Sequence, residues 1–88
     1  MYFVYMLKNS KGKLYVGITT NLKNRTYYHN TGQGAQFTKS KSKFILVFQE
    51  EYKTLKEARK REIQIKKWRR DKKEMLIKRF QKDLSTKL

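Results

Sequence analysis

A carboxylate stands where an apolar side chain is due. From Thr54 onward the sequence reads as a helix, and positions 55, 58, 62 and 65 recur on one side of it. Their occupants are Leu55, Ala58, Glu62 and Ile65. An acid inside such a stripe is paired with a base, bound to a cation, or held neutral at a cost. Lysine and arginine are plentiful enough that a salt bridge and a metal role stand level. Two tyrosines raise a second possibility. Tyr5 and Tyr15 fall at odd positions of two segments, 2–8 and 13–19, that alternate as strands do. If odd positions pair with odd, both phenols project from one face, where they could act together on a substrate. The commoner fate of a strand tyrosine is a buried ring with its hydroxyl satisfied. Arg25 and His29 are four residues apart and share a helix side if the segment between them is helical. Singly, one reads as a surface charge and the other as a packed imidazole.

The elements that must position these groups are legible. Asn9-Ser10-Lys11-Gly12 separates the two alternating segments and predicts a hairpin, with Gly12 where the backbone needs positive φ. A helix is expected from about Asn21 to Thr31, capped by Thr20 or Asn21 and stopped by Gly32. Residues 33–43 read as a loop, whose Lys39-Ser40-Lys41-Ser42-Lys43 stretch is a basic segment beside a binding surface. Phe44 to Tyr52 reads as a buried third strand. Thr54-Leu55-Lys56-Glu57 and Asp71-Lys72-Lys73-Glu74 are capping-box patterns opening helices to about Trp68 and about Asp83. The last helix presents Leu76, Ile77, Phe80 and Leu84 as a core stripe. The expected fold is α+β: a small three-stranded β-sheet flanked by helices, in the order β-β-α-β-α-α. No linker divides the chain, so residues 1–88 form one domain, with its core over about 2–77 and a C-terminal helix to about 83.

Charge sets the partner class. The 88 residues carry 23 Lys and Arg against 7 Asp and Glu, a formal +16. Residues 1–49 contain no acid at all, and Glu50 is the first. A positive field without internal compensation asks for an external polyanion, with nucleic acid ahead of a membrane surface. Basic residues 39–43 and 66–73, with exposed Tyr27, Tyr28 or Trp68 available for base stacking, would suffice for binding without catalysis. The absence of cysteine excludes a disulfide scaffold, a thiol nucleophile and a Cys-based zinc finger, and one histidine excludes a multi-His metal site. The apolar run Phe44-Ile45-Leu46-Val47-Phe48 is too short to span a bilayer, and the N-terminus lacks the pattern of a signal peptide. A cytoplasmic, nucleoid-associated monomer is expected.

Phe3-Val4-Tyr5, then Tyr15-Val16-Gly17, then Arg25, His29 and Glu62 together resemble the GIY-YIG nuclease superfamily. Ten residues separate Tyr5 from Tyr15, and ten separate Tyr15 from Arg25. The resemblance runs from about Tyr2 to Ile77 and is nearest to the small stand-alone bacterial branch. It implies a Mg²⁺- or Mn²⁺-dependent endonuclease that hydrolyses DNA phosphodiesters, of the repair or recombination type, selective for structure or damage rather than sequence. DNA is expected ahead of RNA. Tyr15 corresponds to the general base that activates water, which for a phenol of ordinary pKa near 10 requires nearby positive charge or a metal-bound water. Tyr5 corresponds to a residue that positions phosphate and water. Gly17 would permit close approach of substrate or helix, or else mark a β-bulge. Arg25 corresponds to the arginine that contacts the scissile phosphate, His29 to a hydrogen-bonding group beside it, and Glu62 to the metal ligand; Lys39, Lys41 and Lys43 would bind substrate. With the other six acids dispersed, Glu62 implies one ion whose shell is completed by water and phosphate. The chain departs from the pattern in lacking the first motif's glycine and in carrying Ile18 where some repair nucleases have lysine. Glu74 stands in the region of an asparagine that other members use. The competing reading is a non-catalytic nucleic-acid-binding module of the same fold.

Overall fold

The computed structural model describes residues 1–22 and 44–88. The described elements are β1 (Tyr2–Asn9), β2 (Leu14–Thr19), β3 (Phe44–Tyr52), α1 (Leu55–Lys66) and α2 (Arg70–Gln81). They form an α+β domain in the described order β-β-β-α-α. The helix expected over about 21–31 falls, beyond its first two positions, on residues outside those described. The sheet is antiparallel with order β2-β1-β3, so the first strand is central.

The hairpin is set by its turn. Gly12 adopts φ of +84° and donates its N–H to the Asn9 carbonyl at 2.9 Å. The Asn9 side chain accepts from the N–H of Lys11 at 3.1 Å and of Lys13 at 2.8 Å. Backbone groups that the turn leaves unpaired are thereby satisfied locally. The register pairs Phe3 with Thr19, Tyr5 with Gly17 and Leu7 with Tyr15. Odd positions thus meet odd positions, as the alternation requires.

The two sheet faces bury different clusters. Val4, Met6, Val16 and Phe48 pack with Ala58 and Ile65 of α1 and Leu76 and Ile77 of α2. Tyr5, Leu7 and Phe44 form the opposite cluster, flanked by Tyr15, Leu22 and Leu46. A bulge between Met6 and Leu7 pairs Met6 with Phe48 but Leu7 with Leu46. It sends Phe44 and Leu46 to the tyrosine side and Phe48 to the helices, where Phe48 meets Phe80 edge-on at 5.6 Å. The helix α1 lies over β1 and β2, and α2 rests against β3.

Thr54 caps α1 as its sequence predicts: its hydroxyl oxygen accepts from the Glu57 N–H at 3.2 Å and the hydroxyl donates to Glu57 Oε1 at 2.9 Å. Helix α1 ends at Lys66 rather than near Trp68. Asp71 is not a cap. The cap position of α2 is Arg69, with no side-chain hydrogen bond, and Asp71 lies in the first turn. Glu74, the expected partner of that box, is drawn instead to Arg70 at 2.7 Å and to Lys8 at 3.2 Å. Leu84 likewise leaves the predicted core stripe, being 54% exposed. The helix stops at Gln81 because Asp83 adopts φ of +61°, with Asp83 N–H bonding Phe80 O at 3.2 Å and Leu84 N–H bonding Arg79 O at 2.8 Å. This pair of bonds is a Schellman stop, formed here without glycine.

Candidate nuclease site

Tyr5 and Tyr15 project from the same sheet face, the one turned away from α1 and α2. Tyr5 is 1% exposed and Tyr15 half-buried. Gly17 lies directly across from Tyr5 in the register, and the phenol ring fills the room its missing side chain leaves. A Cβ at Gly17 would stand 2.5 Å from Tyr5 Oη and 2.8 Å from its Cζ. Glycine thus leaves room for the Tyr5 ring against β2. The β1–β2 ladder is regular through this point, and the only described bulge lies between β1 and β3.

Glu62 occupies the stripe that the periodicity assigned to it, between buried Ala58 and Ile65. Its side chain is 12% exposed, and Lys66, one turn on, reaches it at 3.2 Å. The salt bridge weighed for this carboxylate is therefore present, supplied from its own helix by a lysine that is itself half exposed. The helix that carries Glu62 packs on the face opposite the two tyrosines. Among the described residues no three His, Cys, Asp or Glu side chains cluster to hold a metal. Arg25, His29, Lys39, Lys41 and Lys43 lie outside the described residues, as do Tyr27 and Tyr28.

Trp68 is not the open stacking platform expected of it. It is half-buried against the helix-side core, with the Arg61 guanidinium 5.2 Å and the Lys72 ammonium 4.4 Å from its ring centroid. Indole and cations satisfy one another in this arrangement.

Sequence reasoning also missed the largest polar network of the described residues. Arg61 forks onto Glu50, Nε to Oε1 at 2.9 Å and Nη2 to Oε2 at 3.3 Å, with the two side chains only 10% and 16% exposed. Arg61 also donates to the carbonyls of Thr86 at 2.8 Å and Leu88 at 3.2 Å, while Tyr52 and Thr86 hydroxyls each donate to Glu50 at 2.8 Å. A cleft of about 570 Å³ opens beside this network, between β3, α1 and the C-terminal segment. Burial pushes the Tyr52 hydroxyl up to about 12, with its hydrogen bond to Glu50 adding to the rise. The only sequence signal was that Glu50 is the first acid in the chain. Nothing marked its partner eleven residues on.

With the fold and the paired tyrosines in place, comparison with known proteins is decisive at the level of family. The model of the GIY-YIG catalytic domain matches residues 1–75. The chain belongs to the GIY-YIG family, a nuclease-type enzyme family whose substrate is nucleic acid. UPF0213 proteins of Staphylococcus aureus strains Mu50 and N315 are each 48% identical over 77 residues, covering 88% of this chain and 94% of theirs. The chain is thus similar to small single-domain bacterial proteins of nearly its own length. The solution NMR structure of the UPF0213 protein BH0048 from Bacillus halodurans is 34% identical. It covers 89% of this chain and 84% of its own, with a TM-score of 0.57. No described helix is long and apolar enough to cross a membrane.

Proposed function

We propose that the protein is a divalent-metal-dependent endonuclease hydrolysing DNA phosphodiesters, selective for structure or damage rather than sequence. The observation that carries the reading is the placement of Tyr5 and Tyr15 on one sheet face, Tyr5 locked over Gly17, in a chain of the GIY-YIG family. Tyr15, at the half-buried start of β2, takes the proton of the attacking water. As the water oxygen bonds to phosphorus, one P–O ester bond breaks and the leaving oxygen takes a proton from solvent. Tyr5 fixes the position of the phosphate and of that water through a ring that burial keeps from moving. Arg25 neutralises the charge that grows on the phosphate, His29 hydrogen-bonds beside it, and Lys39, Lys41 and Lys43 hold the flanking backbone.

The residues present fit one hard cation rather than two. Glu62 is a mostly buried carboxylate whose lysine partner is half exposed, and among the described residues no group of three or more His, Cys, Asp or Glu gathers as a two-ion site needs. Glu62 would hold the ion, Mg²⁺ or Mn²⁺, with water and substrate phosphate as its other ligands. When bound, the ion supplies charge neutralisation at the phosphate.

A specific observation favours a second reading, a module that binds nucleic acid without cutting it. Glu62 is already ion-paired with Lys66, on a helix packed against the face away from the tyrosines. The test is a cleavage screen on plasmid, single-stranded, flap and four-way-junction DNA, with Mg²⁺, with Mn²⁺ and with chelator. Metal-dependent cutting of a branched or damaged form is expected. Binding to every form with no cutting of any supports the second reading and overturns the first.

A further inference from the structure

The fold brings together two basic segments that lie far apart in sequence. Arg70, at the start of α2, donates from Nη2 to the carbonyl of Gly12 at the hairpin tip, and Lys8 reaches Glu74 from β1 at 3.2 Å. Glu74 also accepts from Arg70 Nε at 2.9 Å. The guanidinium beside Glu74 holds its carboxyl below the ordinary range, so it stays ionised and keeps the clasp closed. The hairpin tip, with Lys11, is thereby fastened to the turn between α1 and α2, with Lys67 and Arg69, and to the first turn of α2, with Lys72 and Lys73.

The charges along this edge are unequally used. Lys66 is taken by Glu62 and Arg70 by Glu74, while Arg69 has only a 3.9 Å approach to a highly exposed Asp71. Among the described residues, none of Lys11, Lys67, Lys72 and Lys73 has an ion-pair partner. Lys11, Lys67 and Lys72 are exposed, and the Trp68 ring 4.4 Å away holds the Lys72 ammonium in place. A cation held in place without an acid, as Lys72 is, binds a phosphate at small entropic cost. Tyr15 is the second residue of β2 and close in sequence to the same tip, so this edge adjoins the strand that carries it.

We propose that this edge, built from the hairpin tip and the α1–α2 turn, is a second DNA-backbone site. It grips a duplex arm away from the tyrosine face. The proposal rests on the nucleic-acid reading above but not on catalysis. It predicts that the small domain selects branched DNA by engaging one arm at Lys11, Lys67, Lys72 and Lys73 and another at the tyrosine face.

The test compares two variants of equal charge: Lys11→Gln/Lys67→Gln/Lys72→Gln/Lys73→Gln, and a control, Lys53→Gln/Lys56→Gln/Lys78→Gln/Lys82→Gln. The control lysines are solvent-exposed on other parts of the surface. Binding of a plain duplex and of a four-way junction is measured across a salt series in chelator, so that no cutting intervenes. At about 0.9 in slope per phosphate neutralised, through the counterions released, the edge variant should lose up to roughly 3–4 units of the log-affinity against log-salt slope and at least about thirtyfold in affinity near 0.1 M salt. The control should lose no more than about threefold. Equal losses in both variants mean that net charge alone attracts DNA, and overturn the proposal. With binding to vesicles of anionic phospholipid measured alongside, a loss confined to the vesicles with DNA binding intact overturns it too. A protein that cuts DNA while the edge variant binds like wild type refutes this site alone. A protein that cuts nothing but shows the edge-dependent slope refutes the nuclease reading alone.

Discussion

Replacing Gly17 by alanine sets two opposing effects against each other. Glycine within a strand costs about 0.5–1 kcal/mol relative to alanine through backbone entropy, so the substitution alone should stabilise. Against that, the new methyl carbon would lie 2.5 Å from Tyr5 Oη, 2.8 Å from Cζ and 3.1 Å from Cε1. Ordinary contacts begin near 3.5 Å, so the ring or the strand must give by roughly 0.5–1 Å. Tyr5 is 1% exposed and packs with fully buried Leu7, so it has nowhere to go. Overpacking of this kind costs about 1–3 kcal/mol, which at its midpoint outweighs the entropy gain and leaves Gly17→Ala less stable by about 1 kcal/mol, within a span of about 0–2.5 kcal/mol. For a domain of this size the melting temperature should fall by roughly 4–8 °C per kcal/mol. Urea denaturation of the cycle with Tyr5→Leu isolates the cause. Leucine does not reach as far as the ring carbons in question, so in that background Gly17→Ala should turn stabilising. Tyr5→Phe, which removes only the 2.5 Å contact, should fall between. A Gly17→Ala cost that is the same with tyrosine and with leucine at position 5 would refute the steric reading.

Further outcomes follow from the polar network. Arg61→Ala should cost about 3 kcal/mol, because it leaves a largely buried Glu50 without its charged partner. It should also release the segment 84–88, read as lost hydrogen-exchange protection around Thr86 and Leu88. Arg61→Lys should not restore the fork. Tyr52 gives an alkaline signature. Its hydroxyl, pushed up to about 12 by burial, stays protonated in the folded chain while the unfolded chain ionises from the ordinary 10. The unfolded state then binds fewer protons, so stability falls as pH rises between those values. Tyr52→Phe should flatten that part of the urea-midpoint profile relative to wild type.

Much of this molecule is written locally in its sequence, and what was not has a common cause. Strand alternation fixed the face shared by Tyr5 and Tyr15, Gly12 marked the turn, and Thr54 with Glu57 marked a helix start, because each depends on neighbours within a few residues. The Asp71 box failed because Glu74 found stronger partners, one of them 66 residues away on β1. Leu84 fell out of its stripe because Asp83 turned the backbone into the left-handed region without the glycine that usually announces such a stop. The Glu50–Arg61–Thr86 network spans strand, helix and C-terminal segment, and no periodicity reports contacts of that separation. The stripe predicted that Glu62 would be sheltered, but not that Lys66 would serve as its partner.

The most direct measurement is single-turnover cleavage of the DNA form found in the screen, by wild type, Glu62→Ala and Tyr15→Phe, with affinity determined in parallel. Both variants should bind within about threefold of wild type and cut at least about a hundredfold more slowly, the scale of a lost acid–base or electrostatic group. Cleavage at the wild-type rate by either variant, with binding intact, would contradict the assignment of Tyr15 and Glu62 to the chemistry.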